Sequence, residues 1–111
     1  MTDDNRPRYS IDEIRQKVVP VAKKYGIKRL SLFGSYAKGE ADSESDVDFL
    51  IDEGKGKIQS LLSYFAFVYD LEDEFKCHVD VVMDGSSDKE FIAEIKNNEV
   101  LLYEEWKSWF E

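Results

Sequence analysis

Three aspartates and a Gly-Ser pair are the residues of this 111-residue chain whose types and spacing could do chemistry. Asp46 and Asp48 stand one residue apart, so on a strand their side chains share one face. Asp80 lies between two valines later in the chain. If the strands that carry them are neighbours, the three carboxylates converge and repel one another unless cations sit among them. Mg²⁺ prefers such oxygen ligands, and two ions can hold a nucleoside triphosphate for an in-line displacement.

The Gly34-Ser35 pair could bind the phosphates of such a substrate. It follows the apolar run that ends at residue 33. Glycine lets the backbone approach a phosphate closely, and the amide and hydroxyl of Ser35 can donate hydrogen bonds to its oxygens. Lys38, four residues beyond Gly34, would add positive charge nearby. We therefore expect Gly34, Ser35 and Lys38 to contact the nucleotide.

Hydrophobic periodicity predicts the elements that position these residues. The predicted strands are 28–33, 46–52 and 77–83. One helix follows a Ser10–Glu13 capping box and ends at Gly26, a second covers roughly 57–75, and a third runs from a Ser87–Glu90 capping box to about Asn97. The second helix is expected to bury one face, made of the apolar residues Ile58, Leu61, Leu62, Phe65, Val68, Tyr69 and Phe75. The pattern predicts one α+β domain over residues 1–111.

Composition restricts the classes of function. The chain is 42% hydrophobic and 14% aromatic, enough for one modest core. We find no apolar run of membrane-spanning length and no secretory signal, and a lone cysteine, Cys77, fits a reducing cytoplasm. A net charge of −9 argues against direct nucleic-acid binding. It is compatible with metal ions, with a nucleotide held through them, and with a basic protein partner.

The order Gly34-Ser35, ten residues, Asp46-Val47-Asp48 and then Asp80 resembles the signature of the minimal nucleotidyltransferases (MNT) of the DNA polymerase β superfamily. The lead-in KYGIKRLSLFGS and the later LLYEE are also similar, so the resemblance covers about residues 10–105. It implies a small mixed β-sheet with helices packed on it. It also implies metal-binding and catalytic roles for Asp46, Asp48 and Asp80. Many members carry arginine near the position of Lys38.

The resemblance also implies a biological role. Proteins of this kind are antitoxins of HEPN-domain ribonuclease toxins. They transfer AMP from ATP, with Mg²⁺, to a tyrosine hydroxyl near the ribonuclease active site. An RNA-cleaving toxin is expected to be basic, which an acidic antitoxin of charge −9 would complement.

Other functions are compatible with the same residues. The chain could neutralise a toxin by binding alone, using its acidic surface and the aromatic tail Trp106, Trp109 and Phe110, or it could modify a small molecule. Residues 42–53 nearly match a calcium loop, but they lack its central glycine. The Asp46-Val47-Asp48 pair could also be a solvated strand end. His78 is interpreted as an ordinary strand residue.

Overall fold

The computed structural model describes residues 6–52, 60–85 and 88–105. In chain order the elements are α1 Ile11–Lys24, β1 Arg29–Phe33, α2 Gly34–Lys38, β2 Val47–Asp52, α3 Leu61–Phe75, β3 Val79–Met83, α4 Lys89–Lys96 and β4 Val100–Glu104. The four strands form one sheet in the order β3-β2-β1-β4. β1 runs antiparallel to β2 and β4, whereas β2 and β3 are parallel. The predicted α+β class with a small mixed sheet is confirmed. Within these ranges no helix is long and apolar enough to cross a membrane.

The predicted capping box begins α1. Ser10 Oγ accepts a hydrogen bond from the Glu13 amide at 3.1 Å, and the Glu13 carboxylate accepts one from the Ser10 amide at 2.8 Å. These two bonds satisfy amides that a helix N-terminus otherwise leaves without partners. α1 then buries Ile14, Val18 and Ala22 against the sheet.

The sheet packs against helices on both of its faces, because successive side chains of a strand point to opposite sides. On β2, Val47, Phe49 and Ile51 join the main core beneath α1 and α3. Leu50 lies on the opposite face, in a smaller cluster with Ile92 of α4. Asp48 shares the face of Leu50, so α4 and the acidic residues lie on the same side of the sheet.

The α3 face that we expected to be buried is mostly exposed. The side chains that α3 buries completely are Phe67, Leu71 and Phe75. Four of its other large apolar side chains are instead exposed: Leu61, Leu62, Phe65 and Tyr69. Both sides of α3 are apolar, so periodicity alone could not select the packed one. Ile58, also assigned to that face, lies outside the described residues.

Two further elements differ from expectation. β4 was not predicted, although its sequence VLLYE forms an edge strand beside β1. α4 is capped by Asp88, whose side chain accepts from the Glu90 amide at 3.0 Å, and not by Ser87, which lies outside the described residues. The aromatic tail with Trp106, Trp109 and Phe110 also lies outside them.

Candidate active site

Strand register brings the sequence-predicted acidic residues together at one end of the sheet. Asp48 pairs with Phe33, the last residue of β1, on one side and with Asp80 of β3 on the other. Gly34 follows Phe33 directly. The Gly-Ser pair and two aspartates are thus assembled by backbone pairing, which fixes their positions more firmly than loops would.

Gly34 lies against Asp48 and could not be another residue without strain. Its φ of +76° is in the left-handed region that glycine tolerates. A Cβ at this position would collide with the carboxylate of Asp48. The two requirements together explain why a glycine stands at the junction of β1 and α2.

Asp48 holds its proton unusually well. Burial is the main cause, followed by a hydrogen bond to Asp80 and by repulsion from Asp80 and Asp46; together they raise the pKa of Asp48 from 3.8 to about 7. The charge of His78 lowers the pKa of Asp48, but it does not outweigh these effects. A half-buried carboxyl among other carboxyls is a site that a cation would stabilise in its charged form.

Asp46, His78 and Asp80 form a group that could hold a metal ion. One potential ligand atom from each lies within 4.8 Å of the others, and all three residues are exposed. With Asp48 beside Asp80, the available donors are mainly carboxylate oxygens, the type that Mg²⁺ prefers. The donor set therefore fits the metal that the sequence implied.

His78 is a member of this site that sequence reasoning missed. Its Nε2 lies 3.0 Å from Asp80 Oδ1, and its Nδ1 lies 3.4 Å from Glu72 Oε2 on α3. The hydrogen bond and charge of Asp80 raise the pKa of His78. Its position two residues before Asp80, which places both on one face of an extended chain, was the available signal.

The structure also places the other predicted nucleotide contacts near this end of the sheet. Ser35 is the second residue of α2 and Lys38 the last. Lys38 is exposed, and with Gly34 and Phe91 of α4 it lines a groove of about 330 Å³. Lys38 therefore borders the same groove as Gly34.

The calcium-loop interpretation is not supported, and the neighbouring Tyr36 has a structural role. Residues 47–52 form strand β2, so 42–53 cannot be the continuous loop that a calcium site needs. Tyr36 is buried in the main core, and its hydroxyl accepts a hydrogen bond from the Arg8 amide at 3.2 Å. Tyr36 is therefore a packing residue.

Comparison with known proteins gives consistent matches. The family model for the polymerase beta nucleotidyltransferase domain matches residues 16–108. The Methanocaldococcus jannaschii protein MJ0435, provisionally named a protein adenylyltransferase, is 44% identical over 73 residues, which cover 66% of this chain and 76% of the relative.

Solved structures share the fold at low sequence identity. A chain from a toxin–antitoxin crystal structure with AMP-PNP matches with a TM-score of 0.72 at 17% identity, over 85% of this chain and 76% of that chain. A chain from the complex of a tri-AMPylated Shewanella oneidensis HEPN toxin with MNT antitoxin gives 0.67 at 14% identity, over 86% and 73%. The family model and these folds both extend over most of the sequence, and this chain therefore belongs to the polymerase beta nucleotidyltransferase family.

Proposed function

We propose that this chain is a Mg²⁺-dependent protein adenylyltransferase that acts as an antitoxin in the cytoplasm. It transfers AMP from ATP to a tyrosine hydroxyl of a HEPN-domain toxin. The name of the M. jannaschii relative supports protein adenylyl transfer, and the two toxin–antitoxin structures support ATP-like nucleotides and a HEPN partner. The observation that carries the proposal is the pairing of Asp48 with Asp80 next to Gly34.

Each site residue has a role in this reaction. Gly34 and Ser35 bind the triphosphate through backbone and hydroxyl donors, and Lys38 adds a positive charge at the groove that it shares with Gly34. Asp46, Asp48 and Asp80 are the residues that would hold Mg²⁺. When bound, this ion supplies charge neutralisation for the phosphates and for the pyrophosphate leaving group.

The transfer step is an in-line displacement. The acceptor oxygen forms a bond to the α-phosphorus of ATP, and the bond from that phosphorus to the pyrophosphate oxygen breaks. The acceptor proton passes to Asp80, which is exposed at the edge of the sheet where an incoming protein can reach it. The products are the adenylylated protein and pyrophosphate.

Labelled ATP tests this proposal. The chain is incubated with ATP labelled at the α-phosphate, Mg²⁺ and the HEPN-domain protein encoded beside it. We expect label on the partner, its loss with Asp46→Asn plus Asp48→Asn, and its retention with Asp12→Asn, which changes an exposed carboxyl on α1. Label that never reaches the partner, or that persists in the double variant, would refute the proposal.

Neutralisation by binding alone is a second candidate function. The exposed apolar side chains of α3 favour it, because they offer a contact surface that needs no catalysis. In this case the Asp46→Asn plus Asp48→Asn variant would protect cells from the toxin as well as the wild type does. We expect the variant to fail in that growth assay.

A further inference from the structure

The outer face of α3 carries an apolar surface that the fold does not use. Among the described residues, six large hydrophobic side chains are exposed, and four of them belong to this helix. Leu61, Leu62, Phe65 and Tyr69 form this set, which we call the α3 patch; Leu62 is 76% exposed and Tyr69 67%. The helix already has a buried face, so these residues are not needed to hold it on the sheet. Clustered exposed apolar residues of this kind mark contact surfaces.

The α3 patch ends one helical turn from Glu72, an α3 residue that contacts the candidate active site. Leu61, Phe65 and Tyr69 are spaced four residues apart and so lie along one side of the helix. Glu72 continues that side one turn further. Its carboxylate contacts His78, which in turn contacts Asp80, the proposed proton acceptor. The core that α3 covers and the acidic residues lie on opposite faces of the sheet, so a protein seated on the α3 patch would reach Asp80 around the exposed edge of β3.

Side chains of α3 also occupy the outer edge of β3, which is an edge strand. The Tyr64 hydroxyl donates to the Val81 carbonyl at 2.9 Å, and the Val79 amide donates to Glu72 at 3.3 Å. These backbone groups are the ones that an added strand would need. A partner approaching this side therefore contacts helix side chains and does not extend the sheet.

Charge defines the chemistry of that partner. The end of the α3 patch nearest the site is bordered by the carboxylates of Glu72 and Asp73. Lys76 lies 3.5 Å from Asp73, and the Arg8 guanidinium donates to the Lys76 carbonyl at 3.4 Å. The chain as a whole has a charge of −9. A complementary surface would be apolar at its centre, with lysine or arginine at the side that faces the active site.

We propose that the α3 patch is the docking surface for the protein whose hydroxyl is adenylylated, and that this partner presents apolar side chains flanked by basic ones. The inference rests on the proposed function for the identity of the partner. Docking here would place the acceptor beside Asp80.

Paired substitutions test the docking surface. The variants are Leu62→Ser and the double Phe65→Ser plus Tyr69→Ser; the matched control is Leu101→Ser, which removes an exposed leucine on β4 at the opposite edge of the sheet. Binding of the neighbouring HEPN-domain protein is measured by titration calorimetry without ATP, and the KM for that protein is measured in the transfer assay. Thermal unfolding checks that each variant is folded.

We expect the double variant to weaken partner binding and raise the KM for the partner at least tenfold, with kcat and ATP affinity unchanged. Leu62→Ser should lose less affinity for the partner than the double variant does. Leu101→Ser should bind the partner as the wild type does. Equal binding by the double variant and the control would overturn the docking proposal, as would a wild-type chain that does not bind. If the double variant loses a homodimer that the wild type forms and keeps its affinity for the partner, the α3 patch binds a second copy of the chain. That result would also overturn the docking proposal. If the partner binds through the α3 patch but receives no AMP, the proposed adenylyl transfer is refuted and the docking proposal stands.

Discussion

Replacing Asp48 with asparagine should abolish transfer and yet stabilise the metal-free protein. In the unfolded chain Asp48 loses its proton near pH 3.8, whereas in the folded protein burial and its carboxylate neighbours hold the proton to about pH 7. The folded state therefore binds more protons than the unfolded state between these values. The free energy of unfolding must fall as pH rises from about 4 to about 7, and a side chain that cannot ionise avoids this loss.

The size of the effect follows from the same difference. At about 1.4 kcal/mol per pH unit, a pKa raised from 3.8 to about 7 sets an upper limit of roughly 4 kcal/mol. Asp48 is only half-buried, so water screens much of this cost. We expect Asp48→Asn to raise the free energy of unfolding by about 1–2 kcal/mol at pH 8, or roughly 5–10 °C in Tm. At pH 5 the gain should be smaller, because Asp48 of the folded protein is then less ionised.

Thermal unfolding in EDTA, followed by circular dichroism at pH 5 and pH 8, measures the difference. Asp73→Asn is the matched control, since it changes a carboxyl that is 85% exposed on α3. Adding Mg²⁺ at pH 8 should stabilise the wild type more than the variant, so the difference between their melting temperatures should become smaller. A variant less stable than the wild type at pH 8, or one with the same gain at both pH values, would refute this account of Asp48.

Three more predictions concern the scaffold. Gly34→Ala should cost about 2 kcal/mol more than Gly39→Ala, because both glycines have positive φ but only at Gly34 would the new Cβ meet a neighbour, Asp48; urea unfolding of the two variants measures it. Phe67→Ala should cost about 3–5 kcal/mol and Phe65→Ala under about 1, since only Phe67 is buried; equal midpoints in urea would contradict the assigned packing of α3. Glu99→Gln should cost about 1 kcal/mol at pH 7. Burial alone would raise the pKa of Glu99, but hydrogen bonds from Arg29 and Ser31 and the charge of Arg29 lower it overall. That contribution should decline as pH falls from about 4.5 through the lowered pKa of Glu99, and a loss that is the same at pH 7 and in strong acid would contradict it.

The parts of the fold that the sequence predicted are those whose patterns allow one interpretation. The Ser10–Glu13 capping box and the apolar strand predicted at 46–52 each have a local cause. Each is found where expected, except that β2 begins one residue later, at Val47, and so leaves Asp46 just before the strand. Asp80 was expected to converge with Asp48 only if their strands were neighbours, and the parallel register of β2 and β3 pairs these two residues. The roles of these residues in catalysis stay predictions.

The features that sequence analysis missed depend on tertiary contacts. α3 is apolar on two sides. Its packing against α1 and β3 buries Phe67 and Leu71, which were not assigned to the buried face, together with Phe75, which was. β4 is a five-residue strand whose pairing partner, β1, lies far away in the sequence. The contact of His78 with Glu72 joins the end of a helix to the start of a strand. None of these leaves a periodic signal of its own.

The parallel pairing of β2 with β3 has a consequence for the order in which the protein matures. All of α3 lies between the two strands, so Asp48 and Asp80 meet only after the helix has crossed over and β3 has added to the sheet. Long-range parallel pairs of this kind form late because their loop must close first. During synthesis, a chain that has emerged only as far as α3 already contains Gly34, Ser35, Asp46 and Asp48 but lacks Asp80. The nascent protein would therefore assemble its candidate metal site only when β3 has emerged from the ribosome.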